Sequence, residues 1–557
     1  MRAAMLACAL TALPPYRPTA PDFDILLLGG TVVDGTGSPS RRADIGIAGD
    51  RVTAIGDLAG RTATRTVDAA GLVVAPGFID MLGWSQHTIL VDSRGVSKVT
   101  QGVTTEITGE GWSPAPTNPN TIRDDSAQFA AWHLDIDWRD LDGWFRRLER
   151  SGTPLNLASF VGATTVRQYV IGDERRAPTP AELARMVALV DTAMMQGALG
   201  LSTSLVYAPA FYARTDEIVA LAAAAGRYGG VYASHIRNEG PRIRQALAEA
   251  FAIGRDAHVP VEVWHLKLSG RANWGRMPAI LALFDSARAR GEQVGANSYP
   301  YIASATSLDA SIPAWAHAGG KDELLRRLRD RPTRTRIKRE MAGRSGSQEN
   351  FTRGAGGLSG IMVLGVLDTA LRRYQGRRIA DIARAEGKDP YDALLDLVLA
   401  DHANTGAAYF TMSEDDVRAA IAAPWVGVGM DFGATAPDGP AAAEMPHPRA
   451  YGTFPRILGH YVRELHLLSL EAAVHKMTGV PAERLGLAGR GVLREGSFAD
   501  VTIFDPATVA DRATFETPTR TATGIRYVIV NGRFTLDDGQ LTAERPGRGL
   551  RGPGYRP

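Results

Sequence analysis

Eight short apolar runs, several of them separated by helical patterns, constrain the fold of this 557-residue chain more than any other feature. The runs end near Asp80, Glu110, Gly162, Thr203, His235, His265, Tyr299 and Asp431. Helical periodicity separates several of them, as in residues 215–227 and 241–254. Alternating strands and helices predict an α/β fold with a parallel sheet, and about eight such units predict closure into a (β/α)8, or TIM, barrel.

The two ends of the chain have a different pattern, in which short strand-like runs alternate with turn residues. Such runs begin at Asp24, Ala43, Arg51, Ala499 and Gly524. The last run is followed by Asn531-Gly532, a dipeptide typical of hairpin turns. We therefore predict that residues 23–74 and 487–557 form one small β-sandwich domain, and that residues 75–486 form the barrel.

Residues 308–370 interrupt the barrel pattern. They carry a basic stretch, from Arg326 to Arg339, and then a glycine-rich stretch from Gly354 to Gly360. A charge run of this kind is typical of a solvated helix face, whereas a long insertion in a compact domain often serves an active site. Both interpretations stay open, and the second predicts a lid over the barrel mouth.

Composition excludes several classes of function. The formal net charge is +2, so no broad basic field favours nucleic acid as a partner. No segment approaches the roughly 18 uninterrupted apolar residues that a membrane span requires. We therefore expect a small-molecule partner, and a homo-oligomer is compatible with the sequence.

The single cysteine, Cys8, excludes an internal disulfide and lies in a short apolar segment near the start of the chain. One positive charge, this apolar run and a later Thr19-Ala20 resemble a truncated bacterial export signal, which favours a periplasmic or secreted protein. The alternative interpretation of residues 1–22 is a disordered leader.

Three of the apolar runs close on residues that bind metals or move protons, namely His235, His265 and Asp431. Because the carboxyl ends of parallel strands converge on one barrel mouth, we expect these side chains to lie close together. Two imidazoles and a carboxylate are what a hydrolytic metal site needs. Taken singly, such a histidine is more often a hydrogen-bonded core residue, and such an aspartate is often a helix cap.

Several motifs, in order along the chain, resemble those of the N-acyl-D-amino-acid deacylases of the amidohydrolase superfamily. They are Pro76-Gly-Phe-Ile-Asp80, Gln101-Gly-Val-Thr-Thr105, Ser234-His-Ile-Arg-Asn-Glu-Gly240, Tyr299-Pro-Tyr301, Gly452-Thr-Phe-Pro-Arg456 and Phe498-Ala-Asp-Val-Thr-Ile-Phe-Asp-Pro506. The similarity spans roughly residues 24–551. It implies a distorted (β/α)8 barrel, a β-sandwich from both ends, and zinc-dependent cleavage of the amide of an N-acyl-D-amino acid.

The resemblance also implies roles for residues that contact the substrate. Tyr207, Lys267 and Tyr299 match substrate-contacting positions, and Arg449 matches the arginine that binds the substrate carboxylate. Alternatively, Lys267 forms a structural ion pair with a neighbour such as Glu239, and the tyrosines are plain walls of the mouth.

For the metal, the resemblance implies that His235 and His265 hold the tightly bound zinc and that Asp431 activates water and moves its proton. A departure occurs at Gly111, where relatives usually place a metal-binding cysteine. Glu110, one residue earlier, is a competent zinc ligand, and two histidines with a glutamate form a known catalytic set. We predict Glu110 as the third ligand.

Two alternatives to this assignment stay open. Thr104, Glu106, Thr108 and Glu110 alternate onto one face of their run, so Glu110 is expected to face the barrel interior. Glu106 lies on the same face and is a rival ligand. In the other alternative, Glu110 binds no metal and is a carboxylate at the mouth that contacts substrate.

A second departure concerns a second, weaker metal position. Relatives normally have an H-x-H pair after the Pro76–Asp80 motif, whereas this chain has Leu82-Gly83-Trp84. Leucine and tryptophan offer no lone pair to zinc, which argues against a two-metal mechanism. Gln86 and His87 are the nearby residues that would have to substitute.

These observations predict an amidohydrolase with one zinc ion per chain and a small N-acyl amino acid or related amide as substrate. The D-configuration follows from the resemblance alone. One alternative is the same fold acting on a cyclic amide or a D-peptide. Another is a catalytically impaired barrel that binds a ligand, although the persistence of His235, His265 and Asp431 argues against it.

Overall fold

A computed structural model describes residues 20–343 and 348–556, so the predicted leader, residues 1–22, lies almost wholly outside the described residues. The strands are β1 Phe23–Val32, β2 Arg41–Ala48, β3 Arg51–Gly56, β4 Ala63–Asp68, β5 Val73–Pro76, β6 Phe78–Asp80, β7 Val103–Thr108, β8 Asn156–Ser159, β9 Val161–Gly162, β10 Gly200–Ser204, β11 Val231–His235, β12 Val261–Val263, β13 Val294–Ser298, β14 Ser304–Ser307, β15 Ile361–Val363, β16 Gly406–Tyr409, β17 Val426–Val428, β18 Val501–Phe504, β19 Ile525–Val530, β20 Arg533–Asp537 and β21 Gln540–Leu541.

The α-helices are α1 Ser85–Val91, α2 Val96–Val99, α3 Pro119–Ile122, α4 Ser126–Ala131, α5 Leu141–Ser151, α6 Ala163–Ile171, α7 Pro180–Met195, α8 Thr215–Gly226, α9 Ile243–Ala257, α10 Met277–Ala289, α11 Lys321–Arg329, α12 Arg331–Ala342, α13 Phe351–Gly354, α14 Ile379–Glu386, α15 Pro390–Ala400, α16 Glu414–Ala422, α17 Arg449–Arg456, α18 Leu470–Met477 and α19 Gly479–Arg484. The helical patterns over residues 215–227 and 241–254 correspond to α8 and α9. Ile218, Leu221, Ala222 and Ala225 form the buried stripe of α8, which packs on β10 and β11.

Parallel strands form a closed barrel in the order β6, β7, β8 with its continuation β9, β10, β11, β12, β13 and β17. Closure is made by a parallel bridge between Gly83 and Phe432 and by the N–H of Met81, which donates to Val428 O at 3.1 Å. Each of the apolar runs in the sequence corresponds to one barrel strand. The prediction of a (β/α)8 barrel is confirmed.

The register of the strands brings their carboxyl ends level at one mouth. Ser204 is paired with His235, and Ser298 with Val428. The barrel strands are buried along their whole length, because helices cover their outer face and side chains fill the barrel inside. Burial on both faces explains why these strands are short and mostly apolar in sequence. Residues just after these strands therefore face a common space.

Both chain ends build one sheet, in the order β21-β20-β19-β18-β5-β1-β2-β3, with β4 also paired to β1. Its two halves meet where β5 runs antiparallel to β18. Ile25 and Ile45 from the first half share a buried core with Val501 and Ile529 from the second. The prediction of one small β domain from both termini is confirmed by this shared sheet and core, whereas its bounds, residues 23–74 and 487–557, stay a prediction.

Between β13 and β17 the chain forms a separate sheet, in the order β14-β16-β15, which packs with α11 to α15 around its own core. This unit extends from Ser304 to Tyr409 and is larger than the predicted insertion, residues 308–370. Arg326 on α11 is largely exposed, with 64% of its side-chain surface accessible, as expected for a solvated helix face. Other residues of the unit line the cavity described below.

The described part of the chain contains no helix that is both long and apolar enough to span a bilayer.

Candidate active site

A cavity of about 690 Å³ opens at the carboxyl ends of the barrel strands. The predicted functional side chains that line it are Glu110, Tyr207, His235, His265, Lys267, Asp431 and Arg449. Thr306 and Phe351, from the unit between β13 and β17, also line it. The inserted unit thus borders the mouth, and a lid motion of it stays a prediction.

Glu110, His235 and His265 bring one ligand atom each to a common point. Glu110 Oε1 lies 2.9 Å from His235 Nδ1 and 3.2 Å from His265 Nε2, and the two nitrogens are 3.0 Å apart. All three side chains are buried. Three such atoms define one face of a small tetrahedron.

This donor set fits zinc. Zinc–nitrogen and zinc–oxygen distances of about 2.0–2.2 Å correspond to tetrahedral edges of about 3.3 Å, close to the separations between the three atoms. Burial lowers the pKa of His235, which favours the neutral imidazole that a metal requires. Burial opposes ionisation of Glu110, but the positive charge of protonated His265 and hydrogen bonds from both rings outweigh it and lower the pKa of this carboxyl. The carboxylate form is the one that binds zinc. Without the metal, the charges of Glu239 and Glu110 overcome burial and raise the pKa of His265 to about 9, so zinc would have to displace a proton from this ring.

Glu106, the rival ligand, is engaged elsewhere. Its carboxylate accepts hydrogen bonds from the N–H and the hydroxyl of Ser85, at 2.8 and 2.7 Å, and lies 3.3 Å from Lys98 Nζ. Lys98 also pairs with Asp80 at 2.7 Å in a fully buried cluster. Glu110 rather than Glu106 therefore faces the two histidines.

Asp431 follows β17 at the seam where the barrel closes. Its backbone is left-handed, with φ +53°, and its N–H donates to Leu82 O at 2.7 Å. Its Oδ1 accepts the indole N–H of Trp84 at 3.1 Å, and its Oδ2 lies 2.9 Å from Arg449 Nη1. The predicted proton carrier is thus held by its backbone and at both oxygens.

The predicted substrate-contacting residues surround these groups. Arg449 is the first residue of α17, and its guanidinium lies 4.7 Å from the centre of the Tyr299 ring. Burial raises the pKa of Tyr299 to about 12, so its hydroxyl stays protonated. That hydroxyl and Arg449 Nε have no hydrogen-bond partner within residues 20–343 and 348–556. Arg449 lines the cavity, whereas Tyr299 is not among the residues that line it, so a contact between Tyr299 and a ligand stays a prediction.

Tyr207 and Lys267 have protein partners. The Tyr207 ring lies edge-on to His235 at 5.1 Å and stacks on Phe351 at 6.4 Å between ring centres. Lys267 Nζ donates to Glu239 Oε1 at 2.6 Å, which is the ion pair named above as the structural alternative. A role of either residue in substrate binding stays a prediction.

The two positions at which relatives carry the H-x-H histidines, Leu82 and Trp84, offer no ligand to a second metal. Leu82 is buried, and Trp84 uses its only polar atom to donate to Asp431. His87 packs edge-on against Phe129 at 5.0 Å, and burial lowers its pKa to about 4. Within the described ranges, the group of histidine and acidic side chains that could hold a metal ion consists of Glu110, His235 and His265. Leu82, Trp84 and His87 do not belong to it.

Sequence reasoning missed the importance of two residues. Trp84 was noted as a lost ligand and a candidate lining residue of the pocket, and its contact with Asp431 spans 347 positions. Glu239 was named only as a partner of Lys267, although it follows His235 by four residues in the Ser234–Gly240 motif. That short spacing is the signal that could have indicated a carboxylate near the imidazole.

Several known proteins are similar to this chain over nearly its whole length. The family model of the amidohydrolase family matches residues 65–536. The D-aminoacylase of Alcaligenes xylosoxydans xylosoxydans is 40% identical over 534 residues, which cover 95% of this chain and 97% of the relative. The N-acyl-D-glutamate deacylase of the same organism is 37% identical over 538 residues, which cover 95% and 96%.

Solved structures are similar over the same length. A crystal structure of N-acyl-D-glutamate deacylase from Bordetella bronchiseptica, complexed with zinc and a phosphonate inhibitor, has 35% identity and a TM-score of 0.79, covering 95% of this chain and 99% of that one. A D-aminoacylase structure, from work on the role of its binuclear metal centre, has 38% identity and a TM-score of 0.78, covering 95% and 100%.

Proposed function

Because this chain belongs to the amidohydrolase family, we propose that it is a zinc-dependent hydrolase that cleaves the amide of N-acyl-D-amino acids, with one zinc ion per chain. The observation that carries the proposal is the convergence of Glu110 Oε1, His235 Nδ1 and His265 Nε2 beside Asp431. The substrate class is supported by 40% identity to a D-aminoacylase over nearly the whole chain.

The residues of this chain divide the work of hydrolysis. Glu110, His235 and His265 would hold the ion, which would supply the Lewis acidity that activates water and polarises an amide carbonyl. Asp431 takes a proton from the attacking water and returns it to the departing nitrogen, as a general base that becomes a general acid. The donors on Asp431 from Trp84 and Arg449 keep its carboxylate in place for both transfers.

Substrate is oriented by Arg449 and Tyr299. Arg449 offers a guanidinium to the substrate carboxylate, in the bidentate geometry that favours arginine over lysine. In the structure this arginine pairs with Asp431, so a bound carboxylate shares or replaces that pairing. The protonated hydroxyl of Tyr299 is a suitable donor to the amide oxygen, where negative charge develops.

A single zinc is proposed because the position of the H-x-H pair carries Leu82 and Trp84. Neither side chain has a lone pair that can bind a metal, and the indole N–H of Trp84 donates to Asp431.

The test combines metal analysis with a substrate screen. Purified protein is expected to contain about one zinc per chain, and Glu110→Ala and His235→Ala are expected to lose it. N-acetyl-D-amino acids, their L-forms and cyclic amides are then compared as substrates. Zinc retained by Glu110→Ala would remove that residue from the ligand set, and turnover confined to cyclic amides would refute the proposed substrate. Zinc binding without any turnover would support the ligand-binding alternative.

A further inference from the structure

The outward nitrogens of both candidate zinc-binding histidines face the same carboxylate. His265 Nδ1 lies 3.0 Å from Glu239 Oε1, and His235 Nε2 lies 3.6 Å from Glu239 Oε2. The opposite nitrogens of the same rings are the ones beside Glu110. Each imidazole therefore has one nitrogen toward the metal position and the other toward Glu239.

The protonation of the rings follows from this arrangement. An imidazole that binds a metal through one nitrogen carries its proton on the other, and that N–H needs an acceptor. For His265 Nδ1 the neighbours are Glu239 and Lys267, and an ammonium offers only donors. Lys267 Nζ is the nearer neighbour, at 2.7 Å against 3.0 Å for Glu239 Oε1, but of the two only Glu239 can accept the proton that Nδ1 carries when Nε2 binds the metal. His235 Nε2 has no hydrogen-bond partner in the described part of the chain, and Glu239 Oε2 lies 3.6 Å from it, so the proposed contact requires these two groups to move closer when the metal binds.

We propose that Glu239 is a positioning residue shared by both zinc ligands, which fixes the tautomer and the orientation of His235 and His265 at once. The inference rests on the zinc site of the proposed function but not on its substrate. It assigns Lys267 to the same unit, because Lys267 Nζ donates to Glu239 Oε1 at 2.6 Å and to His265 O at 3.2 Å.

Glu239 is itself held from two sides. Its side chain is buried and bears the charge of Lys267 on one oxygen. Its backbone N–H donates to Glu349 Oε2 at 2.6 Å. Glu349 belongs to the unit between β13 and β17, so this unit supports the metal centre from outside the barrel as well as lining the cavity.

Burying a charged carboxylate costs free energy unless the charge is paired, and Glu239 has both a cation and hydrogen-bond donors within reach. Lys267 neutralises Glu239, and the two imidazole N–H groups would occupy the remaining acceptor positions. A glutamine at this position could accept from one ring only, since its amide nitrogen cannot accept a hydrogen bond. Glu239→Gln therefore removes half of the proposed contacts without changing the volume of the side chain.

The experiment measures zinc affinity rather than turnover. Apoprotein of the parent and of Glu239→Gln competes for zinc with a chelator of known affinity. Loss of an outer-shell partner typically lowers metal affinity about 10- to 100-fold, and this is the range expected for Glu239→Gln. Glu249→Gln is the matched control, because Glu249 pairs with Arg237 at 2.9 Å and is expected to leave the zinc affinity unchanged.

An affinity of Glu239→Gln within about twofold of the parent would overturn the proposal. If this variant fails to fold, Glu239→Asp serves instead, because it keeps the charge but withdraws the carboxylate from both rings. Glu239→Asp is expected to bind zinc about tenfold more weakly, and parental affinity would again overturn the proposal. If the parent binds zinc but does not cleave N-acyl-D-amino acids, the proposed substrate fails while the role of Glu239 stands.

Discussion

The indole N–H of Trp84 donates to Oδ1 of Asp431 at 3.1 Å, across the seam where the first and last barrel strands meet. The backbone fixes this contact, because the N–H of Trp84 lies 3.4 Å from Phe432 O and the N–H of Asp431 donates to Leu82 O at 2.7 Å. A residue that cannot bind zinc thus contacts the candidate proton carrier directly.

Trp84→Phe keeps the ring and removes the donor. We expect kcat to fall about 10- to 100-fold, since a hydrogen bond to a charged group is worth about 1.5–3 kcal/mol. KM and zinc content should change little, because Trp84 contributes no ligand atom. Steady-state kinetics with metal analysis check this. Trp274→Phe is the control, because its indole N–H bonds to Thr411 O and it is 38% exposed. A fall in both variants, or a change in KM alone, would refute the positioning of Asp431 by Trp84.

Asp431→Asn removes the group that is proposed to carry the proton. General acid–base catalysis contributes about 10²- to 10⁴-fold, so kcat should fall at least about 100-fold. Zinc should stay bound, because Asp431 is not among the three convergent ligand atoms. Asp438→Asn, at a largely exposed position nearby in sequence, is the control. Activity near the parental value in Asp431→Asn would exclude it as the general base.

Metal removal should abolish turnover and lower stability. A ligand that binds only the folded state stabilises it by about 2.7 kcal/mol at 100 times its Kd, so zinc added to apoprotein should raise Tm. Activity should return with the metal. Thermal unfolding at increasing zinc concentration measures the effect, and Glu110→Ala should respond much less. Turnover that survives complete chelation would contradict a zinc-dependent mechanism.

Glu349 makes stability depend on pH. Burial, followed by the negative charge of Glu239, raises the pKa of Glu349 from 4.5 to about 7. Between these values the unfolded chain releases a proton that the folded chain retains, so this group lowers the free energy of unfolding as pH rises from about 4.5 to about 7. Glu349→Gln cannot ionise at this position. The free energy of unfolding of the variant minus that of the parent should therefore be larger at pH 8 than at pH 5. Equal differences at the two pH values would show that Glu349 does not titrate in this window.

The charge of the cavity predicts a preference among substrates. Asp125, Asp309 and Glu444 line it, and among the described residues none of them forms a salt bridge with lysine or arginine. Lys321 also lines the cavity, but its ammonium donates to Asp124 O and Asn404 Oδ1 rather than to these carboxylates. A second substrate carboxylate would be repelled there, so kcat/KM should be about tenfold or more lower for N-acetyl-D-glutamate than for N-acetyl-D-methionine. The opposite order would show that the side chain does not enter this part of the cavity.

Much of the architecture was predictable from local pattern. Barrel strands are buried on both faces, so they read as apolar runs, and the residue types that end them mark the mouth. This is why His235, His265 and Asp431 could be singled out before their distances were known. The extent of the unit between β13 and β17 was underestimated, because its short strands β14 and β16 lie outside the charged segment that drew attention to it.

The sequence alone could not decide which of two carboxylates in one run, Glu106 or Glu110, meets the two histidines. Glu106 and Glu110 share the alternating period of one run in the sequence and are equally able to bind zinc, although β7 ends at Thr108, before Glu110. Only the packing of Ser85 and Lys98 around Glu106 leaves Glu110 to face the histidines. Local periodicity determines which face a side chain takes, but which partner it meets depends on the strands and helices that folding brings beside it.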